Sequence, residues 1–135
     1  MHTSDEHEQQ APRERAQATV EFAMILPVLC LILFAVIEFG MAFWTFQQVS
    51  AAASEGARRA AVSANYADRT TRVTNAARNA SPGLTASRMN VTTSSTWDAG
   101  DPVTVVVTYP ENIRILGVTF FNRNLRVERV ARVEQ

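Results

Sequence analysis

Residues 22 to 46, FAMILPVLCLILFAVIEFGMAFWTF, form an unbroken apolar block whose only charged side chain is Glu38. A helix needs about 20 apolar residues to cross the hydrocarbon core of a bilayer, so the block predicts a transmembrane helix. A cleaved secretory signal is the alternative, and Ala51-Ala52-Ala53 offers small residues for such a cut. Secretory apolar regions run only about 7 to 15 residues, so the length favours a retained anchor. Phe43, Trp44 and Phe46 at the distal end form the kind of aromatic cluster that settles where membrane meets water. Pro27 removes a backbone donor inside the segment and predicts a bend in its first half.

The rest of the composition narrows the chemistry. Residues 47 to 135 hold eleven arginines against seven acids, while residues 1 to 21 hold five acids against two arginines. The arginines after the span are scattered, with no run that interleaves them with aromatics, which argues against a nucleic-acid surface. Cys30 is the only cysteine and lies inside the apolar block, so an internal disulfide is impossible and a cysteine-based metal site is not expected. Both histidines, His2 and His7, precede the span. If the polar tail that carries them is removed, no histidine remains; without a histidine or a usable cysteine, catalysis would rest on carboxylates and hydroxyls, and the part after the span shows no paired-acid or glycine-framed serine motif. The expectation is a non-enzymatic protein with no cofactor and no metal.

Along the chain, four segments follow. Residues 1–16 are polar, carry Pro12, show no apolar period, and read as a disordered tail or leader. Residues 17–46 hold the transmembrane helix. Residues 47–80 are rich in alanine, serine and arginine, contain no proline and only Gly56 to weaken a helix, and predict an outward continuation of the same helix to about Asn79, stopped by Ser81-Pro82-Gly83. Ala52, Gly56, Ala60 and Ala64 recur every fourth residue, which either lets another helix or a sheet approach closely or reflects helix propensity alone. Residues 81–135 are β-rich: 88 to 94, 102 to 109 and 125 to 133 alternate valine and threonine with polar residues between turn signals at 98 to 102 and at Tyr109-Pro110. Three such strands make a small antiparallel sheet that is marginal alone, and packing one face on the outer helix is the remedy. The fold class expected is therefore α+β.

The boundary before the span is the most specific stretch. Residues 13 to 22 read RERAQATVEF: a short basic-flanked leader, a small residue, four more residues, then glutamate and an aromatic. This resembles the processing site of type IV-like prepilins. The longer run RAQATVEFAMILP, with IEFG at 37 to 40 and EGARRAA at 55 to 61, is similar to the TadE-like family of tight-adherence pilus systems. Family members usually carry glycine before the cut, where this chain has Ala16. The resemblance implies cleavage between Ala16 and Gln17, with Glu21 and Phe22 as recognition residues, and a minor pilin or pseudopilin anchored in the bacterial inner membrane. It also implies the partners: the major pilin and other minor pilins, a prepilin peptidase, and an inner-membrane platform. Direct partners beyond the lipid bilayer, nucleic acid included, are not called for by the residues themselves.

Glu21 has a physical reading beside the resemblance. A carboxylate at this depth is costly unless partnered. The candidates are a neighbouring subunit's new amino terminus, as the resemblance implies, or the dipole of the chain's own helix start. Glu38, seventeen residues on, stands about 25 Å further along a helix and either marks a contact or snorkels to water past Trp44. Gly40 belongs to the same candidate assembly helix as Glu21, Pro27, Glu38 and Trp44. The rival to a pilus role is a membrane-anchored extracytoplasmic binding module that is never processed.

Overall fold

The computed structural model describes residues 5–115 and 118–134, so Met1 to Ser4 of the leader lie outside the described residues. The chain divides into two compact units, Met1–Ile37 and Glu38–Gln135.

A single helix, α1 (Asp5–Ala61), accounts for all the described structure of the first unit. The segment read from composition as a disordered tail is helical from Asp5 onwards. Its glutamate, glutamine, alanine and arginine residues are good helix formers, and a segment that leads into an established helix avoids the nucleation cost that a free peptide bears. The helix runs through Pro27 without interruption. Between Phe22 and Ile37 the large apolar side chains are exposed, and the most apolar part of the helix is not buried at all. A helix that is apolar on every side is unstable in water and fits a bilayer or a bundle of other apolar helices.

In the second unit α1 becomes one-sided. Thr45, Val49, Ala52, Ala53, Gly56, Ala57 and Ala60 are buried at intervals of three and four, one face of a helix. That face packs on a three-stranded antiparallel sheet of β1 (Asn90–Ser94), β2 (Pro102–Ile115) and β3 (Val118–Arg132) in the order β1-β2-β3. Val91 pairs with Val107, and Val107 with Val127, which fixes the register. On β2 the odd-numbered residues Val103, Val105, Val107 and Tyr109 point into the core. Each fully buried valine contributes roughly 1.5–3 kcal/mol by leaving water.

The helix expected to reach Asn79 unbroken is two helices. After Ala61 the chain turns, and α2 (Arg69–Asn79) follows. Ser63 at the turn donates its hydroxyl to the Arg59 carbonyl at 2.6 Å, and its amide bonds to the Ala60 carbonyl with the tighter spacing of a terminating helix. The break lets α2 place Val73 and Ala77 in the core beside Gly56. Ser81 ends α2 as expected, buried and bonded to the Ala77 carbonyl at 3.0 Å. The turn between β1 and β2 uses positive φ at Gly100 and at Trp97, whose ring lies under the Arg69 guanidinium at 4.9 Å. At the far end of β3, the Glu134 amide donates to the Ala61 carbonyl at 2.7 Å and closes the sheet against the end of α1.

Candidate functional site

The boundary motif is helical throughout. Thr19 donates its hydroxyl back to the Arg15 carbonyl at 2.8 Å, and the Gln17 side-chain amide donates to Glu21 Oε1 at 3.0 Å. Residues four apart on a helix are neighbours, so the glutamate that the spacing singled out and the residue that would follow the cut share one face. Ala16, Gln17, Glu21 and Phe22 are all exposed. In the single chain the Glu21 carboxylate therefore has one exposed neutral partner and no cation beside it among the described residues.

The structure separates the remaining candidates into two groups. Gly40 stands free: a side chain there would meet nothing within 4 Å among the described residues. Glu38 is half-buried while Phe39 and Gly40 beside it are exposed. Trp44 is turned towards the sheet unit, with its indole lying against Gly83, where any side chain would collide with the ring. Next to it the Thr45 hydroxyl donates to the Met41 carbonyl at 3.1 Å and to Glu111 Oε1 at 3.5 Å. Burial holds the Glu111 carboxyl above its ordinary value; the Thr45 hydroxyl and the charge of Arg88 pull the other way, and the charge of Glu38 adds to the rise. Arg88 donates to the Pro110 carbonyl at 3.1 Å and lies over the Tyr109 ring at 5.2 Å. Trp44, Thr45, Gly83, Arg88, Tyr109 and Glu111 thus line one shallow concavity at the outer end of the apolar block.

The small-residue row faces inward. Ala52 and Ala60 are completely buried, and a Cβ on Gly56 would sit 3.2 Å from Val105 Cγ1, tighter than ordinary packing. Ala64 lies beyond the end of α1, half-buried against the same core. Here the row serves this chain's own sheet and α2. The same burial encloses Ala52 and Ala53, the small residues that a secretory cut would need. EGAR also gains a physical account: Arg58 donates from Nε to Glu55 Oε2 at 2.8 Å and from Nη2 to Glu55 Oε1 at 2.7 Å, which holds the Glu55 carboxyl below its ordinary value. The pair flanks Gly56 towards solvent, with Arg58 exposed and Glu55 half-buried. The three-residue spacing of Glu55 and Arg58 is the sequence signal for this pair. The link from Thr45 to Glu111 has no such signal.

None of these arrangements positions a nucleophile beside a base. What they build is an apolar helix with a polar, partnered start and an aromatic, anchored end. Residues 16–58, from the small residue before the boundary motif to the arginine of the Glu55–Arg58 pair, match the family model described as TadE-like protein. No curated protein and no solved structure matches the chain.

Proposed function

From the match of residues 16–58 to the TadE-like family model, a family associated with tight-adherence pili, we propose that this chain is a membrane-anchored minor pilin, or pseudopilin, that takes part in assembling those pili. The observation that carries the proposal is the continuity of the match, which begins at Ala16, crosses the whole apolar block and ends in the packed part of α1.

A prepilin peptidase would cut between Ala16 and Gln17 on the cytoplasmic side, freeing an amino group four residues before Glu21. The span would stay in the inner membrane with the sheet outside the cytoplasm, until a platform protein and a secretion ATPase draw it into register with major pilins. Two features support a helix made for neighbours: apolar side chains exposed around its full circumference, and Gly40, whose missing side chain serves nothing within the chain among the described residues. Glu21 would exchange the weak amide of Gln17 for a neighbour's ammonium, a charge-assisted partner about twice as strong.

The test is Glu21→Gln, with membrane fractionation for insertion, crosslinking to pilus components for assembly, and a separate check of leader cleavage. Removing one partner of a buried pair costs about 3–5 kcal/mol, so crosslinks should be lost while insertion persists. A variant that is cleaved normally and crosslinks like the parent would leave Glu21 as an interfacial residue only. A passive anchor carrying a binding module predicts that outcome together with an uncut leader.

A further inference from the structure

Arg88 and Glu111 carry opposite charges in the concavity beside Trp44, yet the two form no ion pair. Each is anchored elsewhere. Arg88, on the turn that follows α2, is exposed; its Nη2 is held by the Pro110 carbonyl at 3.1 Å and its guanidinium rests over the Tyr109 ring at 5.2 Å. The Thr85 amide donates to the Tyr109 hydroxyl at 3.4 Å, which fixes that ring. Glu111, on β2, is half-buried, and among the described residues its one hydrogen-bond partner is the Thr45 hydroxyl at a long 3.5 Å. Burial pushes the Glu111 carboxyl up, and the charge of Arg88 reaches it and pulls the other way. The concavity the two share encloses about 360 Å³.

Its depth follows from Trp44. This residue forms part of the wall, and the apolar block ends two residues later at Phe46, about 3 Å further along a helix. Headgroup layers extend about 5–7 Å beyond the hydrocarbon on each side of a bilayer, and tryptophan settles in that layer. A concavity walled by Trp44 therefore stands at the level of lipid phosphates and amines. Glu38, seven residues before Thr45 and on the same side of α1, adds a second carboxylate whose charge reaches Glu111.

We propose that this concavity binds the headgroup of a zwitterionic aminophospholipid, with the phosphate on Arg88 and the primary ammonium on Glu111. The proposal rests on residues 22–46 spanning a membrane, and does not depend on the pilus role. The exposed guanidinium offers a fork of donors that suits phosphate oxygens. A half-buried carboxylate with one weak neutral partner gains from an ammonium, which brings three N–H donors as well as charge, and Glu38 adds to the attraction. A quaternary ammonium brings no donor, and at Tyr109 the ring face that would receive it is covered by Arg88. A phosphate without an ammonium meets Arg88 but is repelled by Glu111.

The test uses the full chain in detergent micelles, in a Trp97→Phe background so that Trp44 is the one indole. It is titrated with phosphatidylethanolamine, phosphatidylcholine or phosphatidylglycerol of the same acyl chains. Trp44 emission should change saturably with phosphatidylethanolamine, and the other two lipids should require about tenfold more, the equivalent of one charge-assisted hydrogen bond. Arg88→Gln and Glu111→Gln should each weaken the phosphatidylethanolamine response by a similar factor. Arg126→Gln, on the opposite face of the sheet, should leave it unchanged. The lipid comparison keeps every binding residue, so it decides the matter even where a variant fails to fold. Equal responses to the three lipids, or an equal loss with Arg126→Gln, would overturn the proposal. Soluble glycerophosphoethanolamine as effective as the lipid would assign the site to a free headgroup compound instead. A change in phosphatidylcholine alone that grows with protein concentration would assign the concavity to a second copy, and would equally overturn it.

Discussion

Gly56 of α1 and Val105 of β2 approach so closely that a Cβ on Gly56 would stand 3.2 Å from Val105 Cγ1, with Ala77 Cβ at 3.5 Å and Val73 Cγ1 at 3.7 Å. Three elements meet at one missing side chain. Alanine would gain about 1 kcal/mol of helix propensity over glycine, but it presses on a valine that is fully buried and stiff at χ1. Gly56→Ala is therefore expected to be close to neutral in thermal unfolding of the detergent-solubilised chain. Gly56→Leu cannot be absorbed and should cost about 1–3 kcal/mol through overpacking; a leucine variant as stable as the parent would show that this junction is open.

Glu111 makes the sheet unit sensitive to pH. Its folded pKa is raised above the ordinary 4.5, chiefly by burial. For a raised pKa, the folded state binds the proton more tightly than the unfolded state. The favourable contribution is fully present below 4.5 and is lost as pH rises through the folded value. Glu111→Gln should then raise the melting temperature at neutral pH and flatten its decline just above pH 4.5. Unchanged melting across that window would mean that the carboxylate is solvated as the pH rises.

Trp44 and Gly83 give an optical handle. The indole lies where a Gly83 side chain would go, so Gly83→Val should push the ring off the turn that follows α2. In a Trp97→Phe background, emission from Trp44 in detergent should shift, while circular dichroism keeps the parent's helix content. Identical emission would place the ring elsewhere.

Much of this architecture is legible in the sequence, for reasons that differ by element. The span announces itself because an apolar run of that length has few other uses, β2 follows from its run of valine and threonine, and β3 from valines spaced among arginine and glutamate. The ends of the strands were less legible. Tyr109-Pro110 reads as a stop, yet β2 continues to Ile115. Pairing with β1 ends at Thr108, so beyond it β2 is an edge, and Pro110 directs its carbonyl to Arg88 on that open side. Proline is tolerated at an edge because its missing donor removes no ladder bond. The break after Ala61 was hidden because its residues are acceptable helix formers, and the decision rests on where Val73 and Ala77 find a core.

The candidate site divides the same way. Glu21 and Gln17 are four apart, so their contact could be read from the helix period. Thr45 and Glu111 are separated by 66 residues and meet only because β2 runs back along α1. The inward direction of Ala52, Gly56 and Ala60 was equally hidden, since a small-residue row looks the same whether its partner is this chain's sheet or another helix.

The most direct test of an assembly subunit cut at the membrane boundary is the intact mass of the chain purified from membranes of cells that contain the prepilin peptidase. The account predicts a protein that starts at Gln17, with the mass of residues 17–135, or that mass less one ammonia where an amino-terminal glutamine has cyclised. Replacing Ala16 by arginine should abolish this species. A chain that starts at Met1 in the presence of the peptidase, or at Ser54 after a secretory cut, would contradict it.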